Sequence, residues 1–355
     1  MEFINLNNYI PVRNPQIAPF SQLRKMEPLL IDQELRIVEQ VKNLEYAHQL
    51  AKSGHKVVRV RKMTIRNPHE DRIEFPRRII AEMTSKCNFF CRMCPQQNLS
   101  RPRIHMEVDA YKALFDEIET YGVEGCWLYH LGESLLHPQF NEIIEHISTK
   151  KNLGKIWLST NGQYFTEDKI RIILASTIGY INFSLHAVTP EVYKEVAPQG
   201  DYEVVRSNLE TFLELKGADI PKKPYLHLQM IEQEPTAGEV DAFIRMYHER
   251  SEIVSINMLE YVNLPNNKDY GMLQRERKPL RSCTRVSRGD CFIFSNGDVT
   301  LCDVAYNAEI CLGNIFEKSL YEIWNSPERK KILELNQEGR MYEIEFCRSC
   351  TDYDI

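Results

Sequence analysis

No stretch of this chain reaches the roughly 18 consecutive apolar residues that a membrane span needs. Its first fifteen residues, MEFINLNNYIPVRNP, lack the basic-then-apolar pattern of a secretion signal. Positive charge is not in excess either: 44 Lys and Arg against 50 Asp and Glu leave a formal net charge of −6. That balance argues against a nucleic-acid platform, which presents a basic patch or stripe. Internal repeats and low-complexity runs are missing. The expectation is a cytoplasmic protein with neither a membrane nor a nucleic-acid partner. In that compartment thiols stay reduced, so disulfides are not expected.

Against these absences stand ten cysteines. Cys87, Cys91 and Cys94 fall within eight residues, Cys126 stands alone, and six lie between 283 and 350. Clustered thiols in a reducing compartment point to metal or cluster ligation.

Four prolines (Pro11, Pro15, Pro19 and Pro28) mark residues 1–30 as irregular. The three-residue recurrence of Leu35, Val38, Val41, Leu44 and Ala47 predicts a helix over 31–52, followed by a strand over 56–65. Residues 1–77 thus read as an N-terminal extension. From 78 onward the pattern alternates, with strands expected near 78–85, 126–131, 155–160, 180–186, 224–231 and 253–259 and helices between them. Six strand–helix alternations predict an α/β fold, a parallel sheet curled into a partial (β/α)6 barrel over 78–262. Functional groups then belong at the C-terminal ends of the strands, where the first cysteine cluster falls. Residues 263–355 change character. FIFSNGDVTL (292–301) reads as a β-hairpin about Asn296-Gly297, with helices near 318–325 and 327–336. The tail reads as a small, separate cysteine-bearing module.

The segment KCNFFCRMCP has the spacing CxxxCxxC. Three thiolates on one loop can hold three irons of a four-iron cubane and leave the fourth iron open to a ligand. A zinc site completed by Cys126 or a histidine is the alternative. With LGESLLHP, LSTNG and FSLH at the ends of later strands, this segment resembles the radical S-adenosylmethionine (SAM) family. The resemblance implies a 4Fe–4S cluster on Cys87, Cys91 and Cys94 whose open iron binds SAM, which one electron cleaves to a 5′-deoxyadenosyl radical. It implies that Gly132 and Glu133 meet the methionine amino group, and that Ser159, Asn161 and Ser184 meet the carboxylate and ribose. Two departures stand out. Ser134 replaces a common proline, and Ala197 stands where relatives often carry the arginine that holds the carboxylate. Arg206 is the candidate replacement.

In the tail, Cys283 is followed by thirteen residues, Gly297, four residues and Cys302, with Cys347 and Cys350 as a terminal CxxC. This order is similar to the family's SPASM and shortened twitch modules, which implies an auxiliary 4Fe–4S cluster on Cys283, Cys302, Cys347 and Cys350. Six cysteines cannot supply eight thiolates, so one auxiliary cluster is expected; a zinc ribbon on the same four is the alternative. Cys291 and Cys311 remain, each a buried small hydrophobe, an alternative ligand or a hydrogen-atom donor. Cys126 reads as core.

Tail spacing also resembles the aminocyclitol dehydrogenases. The resemblance implies oxidation of a sugar or aminocyclitol alcohol, with the auxiliary cluster as electron acceptor and a flavodoxin or ferredoxin as reductant. Other readings are a sugar or nucleoside epimerase using Cys291 or Cys311, a decarboxylase, a maturase of ribosomal peptides, and a zinc-stabilised scaffold. For the maturase, one helix and one strand before residue 75 are little for a peptide-binding domain. A polar small-molecule substrate is expected near His130, His186, His227, Gln229, Asn257 and Arg285, with the histidines as candidate proton acceptors.

Overall fold

The strands at 78–81, 155–160 and 225–232 alternate between buried and more exposed positions, and that alternation sets which residues face the helices. The structure, a computed structural model, describes residues 74–217, 224–247, 250–251, 282–348 and 350. It also describes strand backbones at 4–6, 29–31, 37–40, 56–60, 253–258, 260–261 and 273–274. Two compact units emerge. The first comprises residues 1–64, 161–163 and 180–259, and the second 65–160, 164–179 and 260–355.

The first unit begins with β1 (Ile4–Leu6), β2 (Leu29–Ile31), β3 (Ile37–Gln40) and β4 (Lys56–Val60), which form a sheet in the order β1-β4-β2-β3. β1 is parallel to β4, while β2 runs antiparallel to both β4 and β3. The helix expected over 31–52 is therefore corrected: β3 and the end of β2 occupy its first part as strands, and β1 lies in a segment read as irregular. Ile37 and Val38 are β-branched, and ladder partners for their backbone groups outweigh a weak helical period. The rest of 31–52 lies outside the described residues.

The second unit starts the barrel with β5 (Arg78–Ala81), α1 (Val108–Tyr121), β6 (Gly125–Trp127), α2 (Phe140–Ser148), β7 (Lys155–Thr160) and α3 (Glu167–Ala175). β5, β6 and β7 are parallel neighbours. α1 buries Tyr111, Leu114, Phe115 and Ile118 on one stripe, at about 2 kcal/mol per large side chain. The Tyr111 hydroxyl donates to the Ala81 carbonyl at 3.0 Å, so its burial leaves no orphan donor. α1 stops at Gly122, whose φ of +74° a side chain would resist.

The first unit resumes with β8 (Tyr180–Ser184), α4 (Pro190–Val196), α5 (Tyr202–Lys216), β9 (Tyr225–Glu232), α6 (Val240–Tyr247) and β10 (Ile253–Met258). These three strands are again parallel, in the order β10-β9-β8.

In the tail, which belongs to the second unit, β11 (Glu260–Tyr261) pairs with β12 (Leu273–Gln274). α7 (Thr284–Ser287), β13 (Asp290–Ile293), β14 (Asp298–Thr300), β15 (Gly313–Asn314), α8 (Leu320–Trp324), α9 (Pro327–Gln337) and α10 (Glu345–Arg348) follow. β13 and β14 form the expected hairpin. It does not stand apart. β13 lies parallel to β5, with Cys291 opposite Ile79, so the second unit's strands run β7-β6-β5-β13-β14-β15. No helix among the described residues is long and apolar enough to cross a membrane.

Candidate functional site

In the second unit, the chain leaves β5 and makes a loop that carries Cys87, Cys91 and Cys94, each partly accessible. Backbone pairing closes the loop at its base: Ser85 N–H donates to Ile104 O at 3.0 Å and Met106 N–H to Met83 O at 2.9 Å. The Ser85 hydroxyl and the buried Gln96 amide tie the same turn from inside. Buried Phe89 and Met93 anchor the loop between the cysteines. Phe89 N–H donates to the Cys87 sulfur at 3.5 Å. Burial pushes the Cys91 thiol far up, and the neighbouring Cys94 and Cys87 push it further. Three sulfurs near each other, with no fourth cysteine on the loop, fit a cubane with one open corner.

The pair Gly132-Glu133 packs directly on this loop. A Cβ at Gly132 would overlap the Thr84 carbonyl and stand 2.9 Å from Lys86 O, so only glycine permits the approach. Glu133 N–H donates to Lys86 O at 2.9 Å, and its buried carboxylate accepts from Leu135 N–H at 3.1 Å. Glu133 also acts on the Cys91 thiol electrostatically, so it sits near the cysteines. Ser134, in place of proline, donates its hydroxyl to Leu128 O at 2.6 Å. Ser159 lies on β7, half-buried.

Sequence reasoning missed the most buried charge of this unit. Glu82, 0% exposed at the C-terminal end of β5, takes two hydrogen bonds of 2.6 Å from Arg101 and one of 2.9 Å from the Ser295 hydroxyl. Arg101 also donates to Tyr306 O at 2.6 Å and stacks 4.2 Å over Phe294. Burial alone would raise the Glu82 pKa, but His130 and Arg101 outweigh it and hold the carboxyl below the usual range. One signal was available: an acid ending an otherwise β-rich run just before the cysteines.

His130 is part of this assembly, and not an open proton acceptor as expected. Its Nδ1 lies 3.5 Å from Glu82, its Nε2 is 3.2 Å from Asp303 O, and Phe292 and Phe294 pack against its ring.

The tail thiols converge. Cys283, Cys302, Cys347 and Cys350 are all buried and line one cavity, with Arg285 and an apolar wall that includes Val286, Leu301 and Phe346. Asn336 on α9 grips the Cys283 backbone, accepting its N–H at 2.5 Å and donating to its carbonyl at 3.1 Å. Burial lifts the Cys347 thiol to about 12, with Cys283 and Cys350 adding to it. Among the described residues no three His, Cys, Asp or Glu side chains gather closely enough for one metal ion. A 4Fe–4S cubane takes one thiolate at each of four corners; a zinc ribbon would set the same four around one ion.

Arg285 is thus corrected from the barrel mouth to the thiol cavity, where its guanidinium pairs with Asp303. The two spare cysteines differ in exposure. Phe292 meets His130, so Cys291, its neighbour on β13, points to the opposite face and is fully buried. Cys311 is exposed, its thiol 3.5 Å from Gly313 O. Cys126 is core, as expected.

In the first unit, β8 and β9 present Asn182, Ser184 and His227, Gln229 on one face, with Asn182 opposite His227 and Ser184 opposite Gln229. Asn182 donates to Gln229 at 3.0 Å. A filled barrel carries Val, Ile and Leu here; this polar lining suits a polar ligand. His186 follows β8 with φ +64°, and its Nδ1 accepts Ile231 N–H at 3.2 Å. Burial pushes the pKa of both His186 and His227 down to about 4. With Nδ1 engaged by the Ile231 N–H, neutral His186 carries its proton on Nε2. Asn161 Oδ1 accepts Gln163 N–H at 3.1 Å. Arg206 is 52% exposed and pairs with Glu203 at 3.2 Å on the surface of α5. Asn257 lies on β10, opposite Ile231.

Similar proteins give the family and the fold. A curated relative, the S-adenosyl-L-methionine-dependent 2-deoxy-scyllo-inosamine dehydrogenase of Niallia circulans, is 21% identical over 279 residues, 78% of this chain and 93% of that protein. The crystal structure of BtrN in complex with AdoMet and 2-DOIA matches with a TM-score of 0.55 at 19% identity, over 79% of this chain and 95% of that one. Streptococcus suis SuiB bound to precursor peptide SuiA matches with a TM-score of 0.54 at 13% identity, over 88% and 76%. The chain spans 29% to 62% of the length of other curated relatives it matches. These likenesses share the partial barrel. The Radical SAM superfamily model matches residues 81–256 and the SPASM iron-sulfur cluster-binding domain matches 283–351. The chain is thus a radical SAM enzyme with a SPASM domain, a combination that brings 4Fe–4S chemistry and SAM binding.

Proposed function

We propose that the enzyme oxidises an alcohol carbon of a sugar or aminocyclitol. Cys87, Cys91 and Cys94 would hold the SAM-cleaving cluster, and Cys283, Cys302, Cys347 and Cys350 a second cluster that takes up an electron. Bound together, the first cluster and SAM supply a 5′-deoxyadenosyl radical. Gly132 and Glu133 would meet the amino group of SAM, and Ser159, Asn161 and Ser184 its carboxylate and ribose. The face of Asn182, His227 and Gln229 would orient the hydroxylated substrate by hydrogen bonds, with neutral His227 as the acceptor of its hydroxyl proton. A flavodoxin or ferredoxin would reduce the first cluster.

The observation that carries this reading is the convergence of four buried tail thiols on one cavity. Removing two electrons from an alcohol needs an acceptor beyond the adenosyl radical. Redox-neutral epimerisation does not; it needs a thiol donor, and Cys291 is fully buried while Cys311 is exposed. The test is iron content and 5′-deoxyadenosine formation after anaerobic reconstitution and dithionite reduction. About eight irons are expected in the wild type and about four, with no 5′-deoxyadenosine, in Cys87→Ala/Cys91→Ala/Cys94→Ala. About four irons in the wild type and none in the variant would remove the electron acceptor and the proposal with it.

A second reading, modification of a ribosomal peptide, is favoured by the four-stranded sheet of β1 to β4 in the N-terminal extension and by the likeness to SuiB. Turnover of aminocyclitols against peptides under the same conditions separates the two.

A further inference from the structure

The cavity of the four tail thiols is apolar along most of its wall, with one exception. Arg285 reaches into it from α7, two residues after Cys283, with a side chain 6% exposed. Its counter-ion Asp303 directly follows Cys302 but is 36% exposed. The cavity thus holds a buried cation beside a more exposed counter-ion, and the two act on the Cys302 thiol with opposite signs. Asp303 is itself fixed: its carbonyl meets His130 Nε2 at 3.2 Å, and His130 leans on the buried Glu82–Arg101 pair.

We propose that Arg285 sets the reduction potential of the auxiliary cluster and keeps it high enough to accept an electron. The inference rests on the reading that Cys283, Cys302, Cys347 and Cys350 ligate that cluster. Reduction adds one electron to a cluster already made negative by its thiolates, and net charge and burial are among the terms that set such potentials. The electron comes from the substrate carbon radical, which becomes a carbonyl as its hydroxyl proton leaves to a base. A buried cation favours the reduced form; its partial counter-ion tempers the effect. Arg285 and Asp303 thus form an opposed pair whose balance is read at the cluster.

Cys87→Ala/Cys91→Ala/Cys94→Ala isolates the auxiliary cluster, and its midpoint potential is read by redox titration with electron paramagnetic resonance. Adding Arg285→Gln is expected to lower the potential by about tenfold in the one-electron equilibrium constant, about 59 mV. Asp303→Asn is expected to raise it, and Arg285→Lys to leave it near the parent value. A potential unmoved in both Arg285→Gln and Asp303→Asn, or moved with the opposite signs, overturns the inference. If Arg285→Gln fails to assemble a cluster, Asp303→Asn decides: a rise supports the inference and an unmoved or lowered potential overturns it. A parent variant that binds no iron overturns the ligand reading and Arg285's role with it, an outcome distinct from a loaded cluster at an unmoved potential.

Discussion

The two units bury polar groups by opposite means. The second unit keeps an ionised carboxylate in its interior, Glu82, and covers it with Arg101, the Ser295 hydroxyl and the nearby His130. The first unit keeps two imidazoles, His186 and His227, and lets burial neutralise them. A charge can stay buried only where donors are fixed around it, whereas a histidine escapes the same cost by losing its proton. The ionised cluster makes a rigid support under the cysteine loop and the tail hairpin. The neutral face presents uncharged polar groups, among them the Asn182–Gln229 pair.

Breaking the support should have the largest effect. Arg101→Ala strands the Glu82 carboxylate, and such a loss costs about 3–5 kcal/mol; the expected result is a marked fall in the urea midpoint of the anaerobic protein. A midpoint near wild type would mean that the pair is not the strut described here.

Acid should next separate the units. His186 is pushed from its ordinary 6.5 down to about 4 by burial. The unfolded chain therefore takes up a proton before the folded one does, so stability rises with pH through this window. Acidifying from about 6.5 to about 4 removes about 3 kcal/mol at this residue, at about 1.4 kcal/mol per tenfold. His186→Gln should flatten that limb of the stability curve. Glu82, held below its ordinary range, contributes stability that is present above its unfolded pKa of 4.5 and lost only as pH falls through its lower folded value. Hydrogen exchange at pH 5 should thus loosen β8 and β9 while β5 and β13 stay protected; equal loosening would dissolve the contrast.

The smallest effect is expected for Ser295→Ala. Glu82 loses one of its hydrogen bonds but keeps Arg101, at a cost of about 1–2 kcal/mol in the same denaturation assay. A loss as large as that of Arg101→Ala would make the serine, and with it the hairpin, the dominant partner.

Much of the site was legible because its signals are local. Cys87, Cys91 and Cys94 share one loop, Gly132 and Glu133 are adjacent, and the tail cysteines announce themselves by residue type. Strands and helices of the barrel followed the same logic, since burial period is written in neighbouring residues. What escaped depends on distant pairs. Glu82 and Ser295 are 213 positions apart, and nothing near Glu82 marks its partner. Arg206 was expected on the SAM carboxylate and Arg285 near the substrate; one pairs with Glu203 at a helix surface, and the other lines the thiol cavity. β3 took the ladder over a weak helical period because strand partners, not local propensity, satisfied its backbone.

By itself the sequence determined the chemistry that this enzyme can hold: a three-thiol loop, a glycine-glutamate pair beside it and four further thiols, all set by residue identity and short spacing. Tertiary structure alone decided that the tail hairpin joins β5, that Cys291 and Cys311 lie away from His130 or out in solvent, and that Arg285 faces the thiols. Those outcomes turn on which strand lies beside which and on the face each residue presents, and a linear spacing carries neither.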